Sequence, residues 1–260
     1  MKSDALRSLL VLAGVAFICA ILVSVSTTAL RPIQERNQLL QRYTNIVALT
    51  GLVEPNADDA TIFEVVDQLD VRVVNLEAGE FAPDVDPTSV NSRAAVTDDQ
   101  RSSRIPSEAD VAKLGRRPNE EIVYLVWQGD TLSRLIFPIS GQGMWSTLRG
   151  FIALEGDLNT IALVSFYEQA ETAGLGDQIE DPDWQAQWQG RKMYDGNGNV
   201  QFQVAGGTVS PSSPSAAYQV DGLTGATITG NAVTNLVRYW FGPHGYGPLL
   251  KKIGEQPPDR

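Results

Sequence analysis

Two residue types are nearly missing from this sequence. The 260-residue chain has one cysteine, Cys19, and one histidine, His244. A lone cysteine permits no disulfide within the chain and cannot by itself hold an iron–sulfur cluster, which needs a set of thiolates. A lone histidine excludes a histidine-rich metal site. Basic residues are also scarce, with 20 Lys and Arg against 31 Asp and Glu and a net charge of −11. Nucleic-acid binders need concentrated positive charge to displace counterions, so that function class is excluded. No Gly-rich dinucleotide fingerprint follows a strand.

What is present begins with an apolar run. Residues 8–30 carry no charged side chain, and Leu9 to Ile18 is continuously apolar. About 20 such residues suffice to cross a bilayer as a helix. Lipid offers backbone groups no partners, which makes a helix the natural conformation there. Thr27 and Ala29 are small enough for signal-peptide cleavage, but the length of the run favours a retained anchor. Lys2 and Arg7 precede the run, while Arg31, Arg36 and Arg42 follow it, so flanking charge alone does not fix orientation. Cys19 lies within the run and reads as a small lipid- or helix-facing residue.

The remainder is long enough to bury a sizeable core. Pro32 predicts the start of a second, stalk helix, with Ile33, Leu40, Tyr43 and Val47 at helical spacing and Gly51 as its stop. The organisation is then a tail (1–7), an anchor (8–30), a stalk (31–52) and a soluble domain (53–260). Asp58 and Asp59 are caps for a helix over 60–69, and 71–76 reads as a strand. Residues 79–118 are polar and read as a long loop or insertion. Strands are expected at 121–127 and 132–139, joined by Gln128-Gly129-Asp130, and at 151–155 and 160–166. One or two helical turns are expected over 182–189, a half-buried strand at 200–204 and a closing helix at 231–241. Trp184, Trp188 and Trp240 read as core, and His244 as a surface turn residue. Successive hairpins flanked by helices give the α+β class, built on antiparallel sheets.

One segment has the chemistry of a ligand site. In Asp221-Gly222-Leu223-Thr224-Gly225-Ala226-Thr227, two glycines let backbone approach a ligand. Thr224, Thr227 and Thr229 offer hydroxyls just before the closing helix, whose positive end favours a phosphate. Taken alone, this pattern also describes an ordinary Thr-capped turn.

The same segment resembles the flavinylation motif of FMN-binding domains, with Thr224 where Ser is frequent. Within those domains, residues 143–154, 157–161, 166–176, 184–192 and 241–248 are similar to the covalent-FMN subunit of the sodium-translocating NADH:quinone reductase, in the same order. The run Glu171-Thr172-Ala173-Gly174-Leu175-Gly176 is close to that family's Glu-Thr-Pro-Gly-Leu-Gly signature, with Ala173 in place of Pro. Ala205 stands before Gly206-Gly207 where many relatives are expected to carry Lys.

The resemblance implies FMN esterified through its phosphate to Thr227, with Gly225 and Ala226 shaping the turn. It rejects Thr229 as the attachment point and leaves it an N-cap role. Asp221 then fixes the turn or is read by the modifying enzyme. Glu171, Thr172, Gly174 and Leu175 become candidate flavin contacts, and Trp145 a ring that stacks on the isoalloxazine or packs in the core. The implied activity is electron relay toward ubiquinone inside a membrane complex, with no complete active site on this chain. The implied partners are the other subunits, the bilayer and an exported flavin transferase that uses FAD. The implied location is the bacterial inner membrane, single-pass, with the domain in the periplasm. Two other readings remain open at this point: the flavin subunit of a ferredoxin:NAD complex, and a tethered interaction module without a cofactor.

Overall fold

The computed structural model describes residues 2–53 and 58–260. Met1, the side chains of Lys2, Arg7 and Arg36, and that of the cap candidate Asp59 lie outside the described residues. The chain forms two compact units, one ending at Tyr43 and the other comprising Thr44–Arg260.

The first unit is helical. Helix α1 runs Lys2–Thr50 without a break, and Pro32 lies inside it instead of starting a new helix. Proline lacks an N–H, so its cost here is the ladder bond it would have made to the Thr28 carbonyl. Within α1, the 27-residue span Ser8–Gln34 contains an 18-residue stretch with a mean hydropathy of 2.8 and is long and apolar enough to cross a membrane.

The second unit follows in order as α2 (Asp59–Asp67), β1 (Asp70–Asn75), β2 (Glu80–Phe81), α3 (Ser92–Ala95), β3 (Ser102–Arg104), β4 (Arg116–Pro118), β5 (Glu120–Gln128), β6 (Thr131–Gln142), β7 (Thr147–Glu155), β8 (Ile161–Glu168), α4 (Pro182–Ala186), β9 (Gln203–Val204), β10 (Gln219–Val220), α5 (Thr227–Trp240) and α6 (Gly247–Glu255). Its frame is a six-stranded antiparallel sheet, ordered β2-β1-β5-β6-β7-β8. The expected hairpins are therefore present, each extended by a few residues. Asp58 caps α2 by accepting the N–H of Thr61 at 2.9 Å.

Two regions differ from expectation. The 79–118 stretch holds a series of short elements, including the antiparallel pair β3–β4, so its polar sequence is tied down locally. Asn119 helps by donating its side-chain N–H to the Gln100 carbonyl at 3.1 Å. The strand expected at 200–204 shrinks to Gln203–Val204, which pairs in parallel with β10. A parallel pair needs a crossover connection, and residues 205–218 supply it.

One core holds the sheet to α5. Leu125, Leu135, Phe137, Ile152 and Leu154 from the strands join Val233, Leu236 and Val237 from α5, and all are fully buried. Each side chain of this size contributes about 1.5–3 kcal/mol by leaving water. Gly141 of β6 gives α5 room, because a Cβ there would lie 2.7 Å from Leu236 Cβ. Trp240 donates its indole N–H to the Ser140 carbonyl at 2.7 Å, and Tyr246 donates its hydroxyl to the Pro138 carbonyl at 2.8 Å. These bonds tie the C-terminal end of α5 and the start of α6 to β6. The three tryptophans read as core are buried, and His244 is exposed.

Candidate functional site

The 221–227 segment is held from behind. Asp221 makes three bonds inside the domain. Its carboxylate accepts the Val209 N–H at 2.6 Å, its carbonyl accepts the Trp184 indole N–H at 2.8 Å, and its own N–H reaches Gln187 Oε1 at 3.0 Å. Gly222 lies against residues 205–207: a Cβ there would meet the Ala205 carbonyl at 2.4 Å. Ala205 is thus a neighbour of the motif. Gly225 has φ +76°, the left-handed region that glycine adopts at least cost.

Helix α5 begins at Thr227, four residues before the expected start. Ala226 is its N-cap and has no side-chain acceptor to cover the first-turn N–H groups. The Thr227 side chain is exposed at this end. Orphan N–H groups and the positive end of a 14-residue helix together suit an anion.

Thr229 differs from its expected role. It is not a cap but the third helical residue, 2% exposed, and its hydroxyl donates to Glu171 Oε2 at 2.6 Å. A tertiary acceptor has captured the hydroxyl that local rules assign to the cap.

Glu171 is the centre of the arrangement. It is 8% exposed, and its carboxylate also accepts the backbone N–H groups of Met144 (3.0 Å), Trp145 (2.9 Å) and Ser146 (3.3 Å). Burial alone would raise its pKa. The hydrogen bonds from Thr229, Trp145, Met144 and Ser146 outweigh that and hold it below the ordinary glutamate value. Two glycines make the space. A Cβ at Gly143 would lie 2.6 Å from Glu171 Oε1, and one at Gly176 would lie 2.6 Å from Glu171 Cβ.

The remaining candidates gather around this clamp. The Trp145 indole N–H donates to Thr172 Oγ1 at 3.1 Å. Gly174 has φ +75° and turns the chain so that Leu175 lies beside Gly225, with Leu175 Cδ2 2.8 Å from where a Gly225 Cβ would be. Gln178 Nε2 bridges the Leu175 carbonyl (2.7 Å) and the Thr224 carbonyl (3.2 Å). Trp145, Glu171, Thr172, Gly174, Leu175 and the 224–227 turn therefore share one locus, with Asp221 anchoring it from inside.

Sequence reasoning does not find Met144, Ser146, Gln178 and Ile228. Exposure singles out two of them: Met144 (46%) and Ile228 (57%) join Trp145 (66%) and Leu175 (40%) as large apolar side chains left in solvent. Such surface beside a helix N-terminus fits a flat apolar ring carried on a phosphate. A groove of about 1020 Å³ lined by Tyr194, Asn199, Arg238 and Phe241 lies at the other end of α5. The motif sits on an open face.

Known proteins supply the context. Residues 143–242 match the FMN-binding domain family. The chain is 39% identical over 248 residues to the NqrC subunit of the Na+-translocating NADH-quinone reductase of Pseudomonas aeruginosa, covering 95% of each chain. It is 37% identical over 258 residues to the protein of the same name from Vibrio parahaemolyticus, covering 97% of each. Its fold is similar to the crystal structure of Shewanella oneidensis NqrC, with a TM-score of 0.76, 28% identity, and coverage of 86% of this chain and 100% of that one.

Proposed function

Because the chain belongs to the NqrC family of Na+-translocating NADH-quinone reductase subunits, we propose that it holds FMN as a phosphoester on Thr227 and relays electrons through it. It is a subunit of an oxidoreductase complex, and its FMN-binding domain makes it an electron-carrying one. The observation that carries the attachment is the exposed Thr227 hydroxyl at the uncapped start of α5, straight after the left-handed Gly225.

The linkage is made from FAD by an exported flavin transferase. The bond from Thr227 Oγ to the FMN phosphorus forms as the pyrophosphate bond of FAD breaks. AMP leaves, and the hydroxyl proton passes to a base. Thr227 Oγ supplies the nucleophile, and the first-turn N–H groups of α5 stabilise the phosphate charge. Gly225 and Ala226 shape the approach. Thr224, Thr172 and the 174–175 backbone offer polar contacts, while Trp145, Leu175, Met144 and Ile228 offer apolar ones. FMN supplies reversible electron transfer; the chain supplies binding, orientation and local field.

Ser8–Gln34 anchors the chain in the bacterial inner membrane, with the domain in the periplasm and residues 1–7 inside. Residues 8–30 carry no ionisable side chain suited to ion passage, so sodium movement belongs to the assembled complex. Covalent attachment keeps the cofactor where no cytoplasmic pool can replace it.

The test is mass spectrometry of the peptide containing Thr227, from chain co-produced with the transferase, together with in-gel flavin fluorescence. An FMN mass on Thr227 and loss of fluorescence in Thr227→Ala are expected. An unmodified peptide, or a fluorescent Thr227→Ala band, refutes the proposal.

A further inference from the structure

The sequence motif specifies where a phosphate goes, but it does not specify where a ring lies. Three separate stretches meet at one point: the 143–146 turn, the 171–176 loop and the first turn of α5, which begins at Thr227. Each is tied to the same carboxylate. Glu171 Oε1 accepts from the Trp145 and Ser146 N–H groups, and Oε2 accepts from the Met144 N–H and the Thr229 hydroxyl. Its own backbone begins the loop that carries Thr172, Gly174 and Leu175. The 143–146 turn is joined to this loop again through Ser146 Oγ, which accepts the Ala170 N–H at 2.7 Å, and through the Trp145 indole on Thr172.

We infer that Glu171 is the positioning residue of the flavin site: its buried carboxylate holds Trp145, Leu175 and the Thr227 turn in one fixed arrangement, so that a tethered ring adopts a single orientation. Three features support a built clamp over an incidental core contact. All four donors point at one side chain. Gly143 and Gly176, on two different segments, are the residues whose Cβ atoms would collide with it. Three of the groups it restrains, Met144, Trp145 and Ile228 next to Thr229, end in solvent and not in the core, so the restraint acts on a surface. A hydrogen bond to a charged group contributes more than a neutral one, and a network anchored on one carboxylate rigidifies every segment that donates to it. A glutamine cannot replace it fully. Its amide nitrogen donates, so one of the two donor pairs loses its acceptor.

The inference rests on FMN being bound at Thr227. The experiment therefore uses the full chain co-produced with the transferase, as parent, Glu171→Ala, Glu171→Gln and Thr229→Val. Two signals are read: visible circular dichroism of the flavin, which reports a fixed ring environment, and thermal melting, which reports the fold. The expected result is covalent flavin in all four proteins. Most of the visible dichroism should be lost in Glu171→Ala, with partial loss in Thr229→Val and Glu171→Gln. If Glu171→Ala does not fold, the two shape-preserving variants decide. Flavin dichroism equal to the parent's in those variants, even with a lowered melting temperature, overturns the inference and leaves Glu171 a structural residue. A parent chain without flavin on Thr227 instead sinks the attachment reading itself, so the two failures are distinguishable.

Discussion

Gly176→Ala adds one methyl group at the tightest point of the clamp. The new Cβ would sit 2.6 Å from Glu171 Cβ and 2.9 Å from Thr229 Oγ1, both well inside van der Waals contact. Glu171 Cβ is fixed by its own backbone, so no side-chain rotation relieves the conflict. The loop or α5 must move, and the Thr229–Glu171 bond of 2.6 Å is the first to lengthen. Overpacking of this kind costs about 2 kcal/mol. For a domain of about 200 residues, that lowers the melting temperature by about 4–8 °C. Gly174→Ala is the matched control. Nothing lies within 4 Å of its new Cβ, and only the strain of φ +75° remains, about 1 kcal/mol. Differential scanning calorimetry of the full chain in detergent measures both. If Gly176→Ala melts no lower than Gly174→Ala, the clamp is not tightly packed and the steric reasoning is wrong.

Two further outcomes follow from the geometry. Partial burial pushes the Asp157 carboxyl up, but hydrogen bonds from the Thr160 hydroxyl and N–H, the Asn159 N–H and the Lys192 ammonium more than reverse this, lowering it from 3.8 to about 2. A folded-state pKa below the unfolded one gives stability present above 3.8 and lost as pH falls through about 2; the melting-temperature gap between parent and Asp157→Asn should therefore narrow steadily from pH 4 to pH 2, and a constant gap refutes the linkage. Trp184→Phe removes the 2.8 Å bond to the Asp221 carbonyl, and calorimetry should show a loss of about 1 kcal/mol with flavin still attached; loss of attachment would mean that this bond sets the turn itself.

Legibility follows the range of each interaction. The apolar run, the paired hairpins and the Gly/Thr motif are local patterns, and the structure has them close to where the sequence places them. Local rules misplace the start of α5 because Thr229 satisfies them as a cap. The competing acceptor, Glu171, lies 58 residues earlier and leaves no mark in the neighbouring sequence. Glu171 itself is visible as part of the Glu-Thr-Pro-Gly-Leu-Gly resemblance, but its role is not. Nothing in a linear reading shows that its carboxylate turns inward to three N–H groups at 144–146. Pro32 misleads for the opposite reason: its local penalty is one hydrogen bond, and the helix on either side is long enough to absorb it. The short elements within 79–118 depend on side-chain to backbone bonds, such as those of Asp98, Asp110 and Asn119, which polar composition does not reveal.

The two halves of the proposed site are specified differently, and this separates recognition from tuning. The proposed attachment point lies in a contiguous stretch, Asp221 to Thr227, at a helix end. Within it Thr224, Gly225 and Thr227 are exposed, where a modifying enzyme would meet them, while Leu223 and Ala226 are buried. The ring position depends on contacts that exist only after folding, through Glu171 and the turn at 144–146. On the proposed attachment, a change in the clamp should alter how the flavin is held without removing the means of attaching it, whereas a change at Thr227 should remove the flavin and leave the clamp whole. Ala173 stands in the loop that Glu171 begins, on the ring-holding side, so on this reading its effect should fall on the flavin's environment and not on its attachment.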